Sequence, residues 1–365
     1  MDSSKRKIRV LVVDDSAVIR KLIPTLLGQD EEIEVVATAI DGDFAINKIQ
    51  QMQPDVITLD VDMPRMDGIT ALGVIVSKHK IPVLMLSSLT TRDAALTMKA
   101  LEMGAVDFIC KPRGGTGKLN EMGSELVTKI KAAARSTVIQ PVSLPELPVK
   151  AKKKAPPLPT TIGSGKLIAI GASSGGPNAL RYILPRIPAS IGAGIVVVQH
   201  MPESFTAVMA RWLDEICDIE VSEARSGDLI IPGRALVAPG NAHLRVQRTA
   251  LGPAVQLERS TPVNGHMPSV DVLFRSVASE YGRHATAVIL TGMGTDGAEG
   301  IGEIRKAGGH TMAQNKETCA IFGMPRAAIE RGYIQQVGSL SDIANWLVVA
   351  AGKQESSEVK DGKCN

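Results

Sequence analysis

A chain of 365 residues is too long for one ordinary hydrophobic core and predicts two domains. With 44% hydrophobic and 22% charged residues, net charge +3 and 3% aromatics, it has neither the basic field nor the stacking faces of a nucleic-acid binder. Its four cysteines, Cys110, Cys217, Cys319 and Cys364, form no CxxC pair, and no segment reaches membrane-span length, so a reducing, cytoplasmic setting without membrane insertion is expected.

Short apolar runs at Ile8–Val13, Ile33–Ala37, Val56–Leu59, Val83–Leu86 and Asp107–Cys110 alternate with amphipathic stretches such as Ala17–Leu27, Phe44–Met52, Thr70–Ser77 and Ala94–Met103. Five strands alternating with helices predict a doubly wound parallel sheet over residues 6–130. Pro24 is a local misfit in its helix and predicts a kink. Residues 131–163, rich in Pro and Lys, cannot bury a core and read as a semi-extended linker. Apolar runs then resume at Leu167–Ile170, Gly194–Val198 and Ala287–Leu290, predicting a second α/β domain over 164–352 and a disordered tail over 353–365.

In the first domain, Asp14 and Asp15 close the first strand, Asp60 the third and Lys111 the fifth. A parallel sheet brings its carboxyl strand ends to one edge, so these groups converge. Clustered carboxylates repel unless a cation neutralises them, and oxygen donors suit Mg²⁺. Asp60 then reads as a phosphoryl acceptor, with Ser87 at the fourth strand end as a donor to the phosphate. Asp14 and Asp15 alone would read as helix caps.

The segments VLVVDDS, LDVDMPRMDG, PVLMLSS and DFICKP resemble those of two-component receiver domains, which have a flavodoxin-like fold. That resemblance implies phosphorylation of Asp60 by a histidine kinase. It also implies Mg²⁺ held by Asp15, Asp60 and the Asp62 carbonyl beside Asp14, and a switch formed by Ser87, Phe108 and Lys111.

In the second domain, Gly171, Ser173 and Gly175 match G-x-S-x-G on a strand-to-helix turn. Taken alone, such a turn more often holds a phosphate. A base is offered by His200 at the end of Gly194–Val198, and an orienting carboxylate by Asp296 after Ala287–Leu290. His243 and His266 compete as bases, although neither ends an apolar strand run. His284 and His310 read as surface or packing residues. A nucleotide-binding domain would want G-x-G-x-x-G, which Gly171-Ala172-Ser173 breaks, and no basic recognition helix suggests DNA.

AIGASSGGP, VVVQHMP, APGNAHL, PSVDVLFRSVA and ILTGMGTDGAEG resemble the catalytic domain of chemotaxis protein-glutamate methylesterases. The resemblance implies a Rossmann-like domain with the triad Ser173, His200 and Asp296 and no catalytic metal. The implied activity is hydrolysis of glutamate methyl esters, and deamidation of glutamines, on the cytoplasmic helices of chemoreceptors. Backbone amides of Ser174 and Met293 are the expected oxyanion donors. Ser174 stands where the family commonly carries threonine, which keeps the hydroxyl.

Overall fold

The computed structural model describes residues 6–111, 116–135 and 165–352. The first domain holds β1 (Ile8–Val13), β2 (Ile33–Ala39), β3 (Val56–Asp60), β4 (Val83–Ser87) and β5 (Asp107–Cys110). Between and after them run α1 (Ala17–Leu27), α2 (Gly42–Met52), α3 (Gly68–Val74), α4 (Thr91–Glu102) and α5 (Thr116–Arg135). All strand pairs are parallel, in the order β2-β1-β3-β4-β5. This is the flavodoxin-like order, with its switch point between β1 and β3. β3 and β4 are buried throughout because helices cover both sheet faces, which is why they read as unbroken apolar runs. Pro24 lies inside α1, which continues to Leu27. α5 runs to Arg135 with Ala133 fully buried, so the first domain extends beyond residue 130. The rest of the expected linker and the expected tail lie outside the described residues.

The second domain begins with β6 (Leu167–Ala172), α6 (Gly176–Ile183), β7 (Gly194–Gln199), α7 (Glu203–Ile216), β8 (Glu220–Glu223) and β9 (Arg234–Val237). An antiparallel hairpin follows, β10 (His243–Thr249) with β11 (Gly252–Glu258). Then come α8 (Val270–Tyr281), β12 (Ala285–Ile289), α9 (Ala298–Lys306), β13 (His310–Gln314), α10 (Met324–Glu330), β14 (Gln336–Gly338) and α11 (Leu340–Gly352). Seven parallel strands stand in the order β14-β13-β12-β6-β7-β9-β8. From β6 the chain builds outward first through β7 and later through β12, so the strand order reverses between β6 and β12. Such a reversal opens a crevice at the carboxyl edge of the sheet. Among the described residues, Cys110, Cys217 and Cys319 form no disulfide. Among the described residues, no helix is long and apolar enough to cross a membrane.

The two domains pack against each other. Phe108 at β5 stacks on Phe205 of α7, ring centroids 4.8 Å apart and planes within 14°. Arg181 of α6 pairs with Glu102 at the end of α4 at 2.9 Å and lies over the Trp212 ring. Asn178 donates to the Ala105 carbonyl at 3.5 Å. Buried residues from both domains, including Met85, Met98, Ile170 and Met209, belong to one contiguous apolar cluster.

Candidate active site

Three adjacent strands supply the second-domain site. β6 ends at Ala172, whose register partner on β7 is Gln199, so Ser173 and His200 are the next residues past neighbouring strand ends. Two further bonds tie these ends together. The His200 amide donates to the Ala172 carbonyl at 3.0 Å. Gln199 Nε2 donates to the carbonyls of Ser173 (2.8 Å) and His200 (3.1 Å). Gly175, the N-cap of α6, has φ +76, a left-handed conformation that turns the chain sharply behind the serine. Across the crevice, Gly292 faces Ser173 so closely that a Cβ there would lie 2.8 Å from the serine Cβ. The Ser173 amide donates to the Thr291 carbonyl at 3.0 Å, joining the β6 and β12 loops.

His200 Nε2 and Asp296 Oδ2 are 2.8 Å apart, and both side chains are buried. The other ring nitrogen, Nδ1, is buried without a hydrogen-bond partner among the described residues. Asp296 is held from several sides. Its Oδ1 accepts from Asn264 Nδ2 and Ser269 Oγ, both at 2.8 Å, and its Oδ2 also accepts from the Val270 amide at the start of α8 at 2.7 Å. Burial pushes the Asp296 carboxyl up, but hydrogen bonds from His200, Asn264 and Ser269 outweigh it and hold the group well below the usual range. Asp296 is therefore a fixed negative charge under the imidazole.

The competing histidines separate by geometry. His243 is buried with both ring nitrogens engaged, Nδ1 accepting from the Ser269 amide at 3.1 Å and Nε2 lying 3.2 Å from the Thr261 carbonyl. It braces the loop that carries Ser269. His266 lies flat on His200, centroids 3.8 Å apart and planes within 11°. The amides of Ser174 and Met293 donate no hydrogen bond among the described residues, which leaves both available to a ligand. Gln199, Asn264 and Ser269 were missed from sequence. Only Asn264 carried a local signal, the Asn-Gly turn dipeptide.

In the first domain, Asp14, Asp15 and Asp60 offer carboxylate oxygens within 4.8 Å of one another. Lys111 Nζ sits 2.8 Å from Asp14 and 2.7 Å from Asp60. Burial, with Asp14 and Asp15 nearby, outweighs Lys111 and raises the Asp60 carboxyl to about 6. Three clustered carboxylates, two of them against one ammonium, fit a hard divalent cation. Asp62 is exposed, and its carboxylate is not one of the three. Asp14 accepts from the Ser16 amide at 2.9 Å, a turn ahead of α1, while the N-cap of that helix, Ser16, makes no side-chain capping bond. Ser87 is buried and accepts from Thr97 Oγ1 at 2.8 Å. Phe108 is turned onto Phe205. Beneath it Lys129 donates to the Phe108 carbonyl at 2.7 Å and pairs with Glu125 and Asp107.

Known proteins carry the same two parts. Residues 168–347 match the family model described as CheB methylesterase, and residues 10–143 match that for the response regulator receiver domain. A Koribacter versatilis protein named protein-glutamate methylesterase/protein-glutamine glutaminase 2 is 47% identical, covering 96% of this chain and 98% of its own length. The similarly named protein of Pseudomonas aeruginosa is 46% identical, again covering 96% of this chain and 98% of its own. Among solved structures, the Thermotoga maritima CheB methylesterase catalytic domain is 40% identical with a TM-score of 0.50, covering 51% of this chain and 98% of that domain. With relatives this similar across nearly the whole chain, the protein belongs to the CheB methylesterase family, with a response regulator receiver domain ahead of its catalytic domain.

Proposed function

We propose that the chain hydrolyses glutamate methyl esters on the cytoplasmic helices of chemoreceptors, releasing methanol, and deamidates particular receptor glutamines. The observation that carries this reading is the His200–Asp296 pair at 2.8 Å, with His200 Nδ1 left unpartnered and His200 following β7 at the strand end next to the one that carries Ser173. Because Asp296 occupies Nε2, the working base is Nδ1, the opposite nitrogen from that in the chymotrypsin triad. Nδ1 takes the Ser173 proton as Oγ attacks the ester carbonyl. The positive charge that forms on the imidazole is met by Asp296, already ionised. The Ser174 and Met293 amides receive the oxyanion, and one such donor is worth roughly 3 kcal/mol of transition-state stabilisation. His200 returns the proton to the departing methoxide, and methanol leaves. Water, deprotonated by the same nitrogen, then hydrolyses the acyl-enzyme to the carboxylate. Deamidation follows the same path with ammonia as the leaving group.

Control comes from the receiver. Asp60 accepts a phosphoryl group from a chemotaxis histidine kinase, with Asp14, Asp15, Asp60 and the Asp62 carbonyl as the residues that would hold Mg²⁺. When bound, the ion offsets charge on the phosphoryl oxygens. Lys111 and Ser87 stand at the same strand edge to meet those oxygens, and Phe108 links that edge to Phe205 of the catalytic domain.

The test is methanol release from methylated receptor. Ser173→Ala should abolish it while leaving Asp60 phosphorylation intact, and His200→Ala should do nearly the same. Near-normal release from Ser173→Ala would refute the assignment.

A further inference from the structure

The loop ahead of α8 places two side chains on the His200–Asp296 pair that the proposed chemistry does not consume. Val263 and His266 exchange two backbone hydrogen bonds of 3.0 Å each. They close a two-residue turn in which Asn264 has φ +54 and Gly265 φ +77. Positive φ at both central residues is the type I′ geometry that Asn-Gly favours. The turn aims both side chains at the site. Asn264 uses both hydrogens of its amide, donating at 2.8 Å to Asp296 Oδ1 and at 2.8 Å to Asp271 Oδ2. Asp271 and Asp296 are 2% and 1% exposed, so the amide is wedged between two buried carboxylates. His266 makes no side-chain hydrogen bond among the described residues, and its ring contact is the stack on His200.

We propose that Asn264 and His266 are positioning residues for the esterase, fixing the planes of the Asp296 carboxylate and the His200 imidazole so that Nδ1 faces Ser173. The inference rests on Ser173, His200 and Asp296 being the triad.

The physical case has two halves. Asn264 and Ser269 occupy Oδ1 of Asp296, which leaves Oδ2 for His200 and the Val270 amide, and this division fixes the rotation of the carboxylate. The same amide stands between two like charges that would otherwise repel. His266 covers one face of the imidazole and restricts its rotation. Burial and the neighbouring His200 push the His266 imidazole down to about 4, with Asp296 and Glu125 acting in the opposite sense. It is therefore a neutral ring near pH 7. A neutral aromatic face beside the imidazolium that forms during attack is favourable, whereas a second cation would oppose it.

The experiment measures kcat and KM for methanol release by the full-length chain with phosphodonor and Mg²⁺, with active enzyme counted by titration of the nucleophilic serine. Asn264→Gly keeps the positive φ and deletes the amide, and His266→Ala deletes the stack. Each should lower kcat roughly ten- to a hundredfold, part of the ~10²–10⁴ that a well-placed general base supplies, with KM changed less than about twofold. Asn264→Asp adds a third carboxylate and should be slower than Asn264→Gly. His266→Phe restores the ring face without a titratable nitrogen and should recover to within about threefold of wild type. If His266→Phe is as slow as His266→Ala, the ring nitrogens carry the effect and stacking does not. If both deletions raise KM at unchanged kcat, the turn contacts substrate and positions nothing. Near-normal activity in Ser173→Ala would remove the underlying triad, an outcome separable from either of these.

Discussion

Gln199 shows how much of the site depends on residues that do no chemistry. Its side-chain amide gathers the carbonyls of Ser173 and His200, fastening the turn of the proposed nucleophile to the proposed base. Gln199→Leu should leave both buried carbonyls short of a donor and cost about 1–3 kcal/mol of stability, read from urea unfolding, with kcat lowered as well. His266 gives a pH-dependent counterpart. Unfolded, its imidazole titrates near 6.5; folded, it stays neutral down to about 4. The unfolded chain therefore binds the extra proton, and the native state loses stability as pH falls through this window, while above it the contribution is intact. Urea midpoints at pH 7 and pH 5 should differ less for His266→Phe than for wild type; an unchanged difference would mean that His266 titrates normally. The placement of Ser173, His200 and Asp296 beyond neighbouring strand ends was legible because each follows an apolar strand run into a glycine-rich or strand-end segment. Gln199 and Ser269 were not, since a hydrogen-bonding side chain in a core has no periodic signature.

At the scale of elements, the receiver strands were readable almost to the residue, because buried parallel strands are continuous apolar runs bounded by turns. The catalytic sheet was only half readable. β6, β7 and β12 stood out, but β8 (EVSE), β13 (HTMAQ) and β14 (QVG) are short and polar and belong to the flanks of the sheet. The β10–β11 hairpin is likewise disguised by arginines and a glutamate on its exposed face. Sequence also gave no sign of which elements meet between domains. That depends on complementary faces, here α4 and β5 against α6 and α7. Arg181 of α6 and Glu102 of α4 provide a handle on that contact. Reversing one charge should loosen it: Glu102→Arg sets two cations face to face and should raise methylesterase activity without phosphodonor. The double variant Glu102→Arg with Arg181→Glu should return activity toward wild type. No rise in the single variant would show that this pair does not restrain the enzyme. The pair is partly exposed, so its coupling should be on the order of 1 kcal/mol or less and the rise correspondingly a few-fold.

For the whole molecule, the apolar cluster crosses the domain boundary, and Ser173, the proposed nucleophile, is 9% exposed. We propose that the receiver, held in this arrangement by Phe108–Phe205 and Glu102–Arg181, restricts the approach of a receptor helix, so that activity rises when the domains part. Tethering keeps the receiver at high local concentration over the catalytic edge, and a weak interface then suffices for restraint. The proposed phosphorylation of Asp60 would add charge and acceptor oxygens at the strand edge where Lys111 and Ser87 stand. In the proposed switch, Ser87 drawn toward the phosphate would give up its contact with Thr97, and Phe108 would leave its stack on Phe205. Carrying the population from 99% closed to 99% open would take about 5.5 kcal/mol, so loss of the aromatic stack alone, at ~0.5–1.5 kcal/mol beyond its area, opens only part of it. An ordering of rates follows. A chain beginning at Thr161 has no receiver to displace and should be the fastest. The phosphorylated whole protein should approach it from below, and the unphosphorylated protein should be slowest. Asp60→Asn should stay at that slowest rate when phosphodonor and Mg²⁺ are added. Stimulation of Asp60→Asn equal to wild type would remove Asp60 as the control point. A folded Thr161 chain no faster than the resting protein would show instead that the receiver does not restrain the triad by covering it.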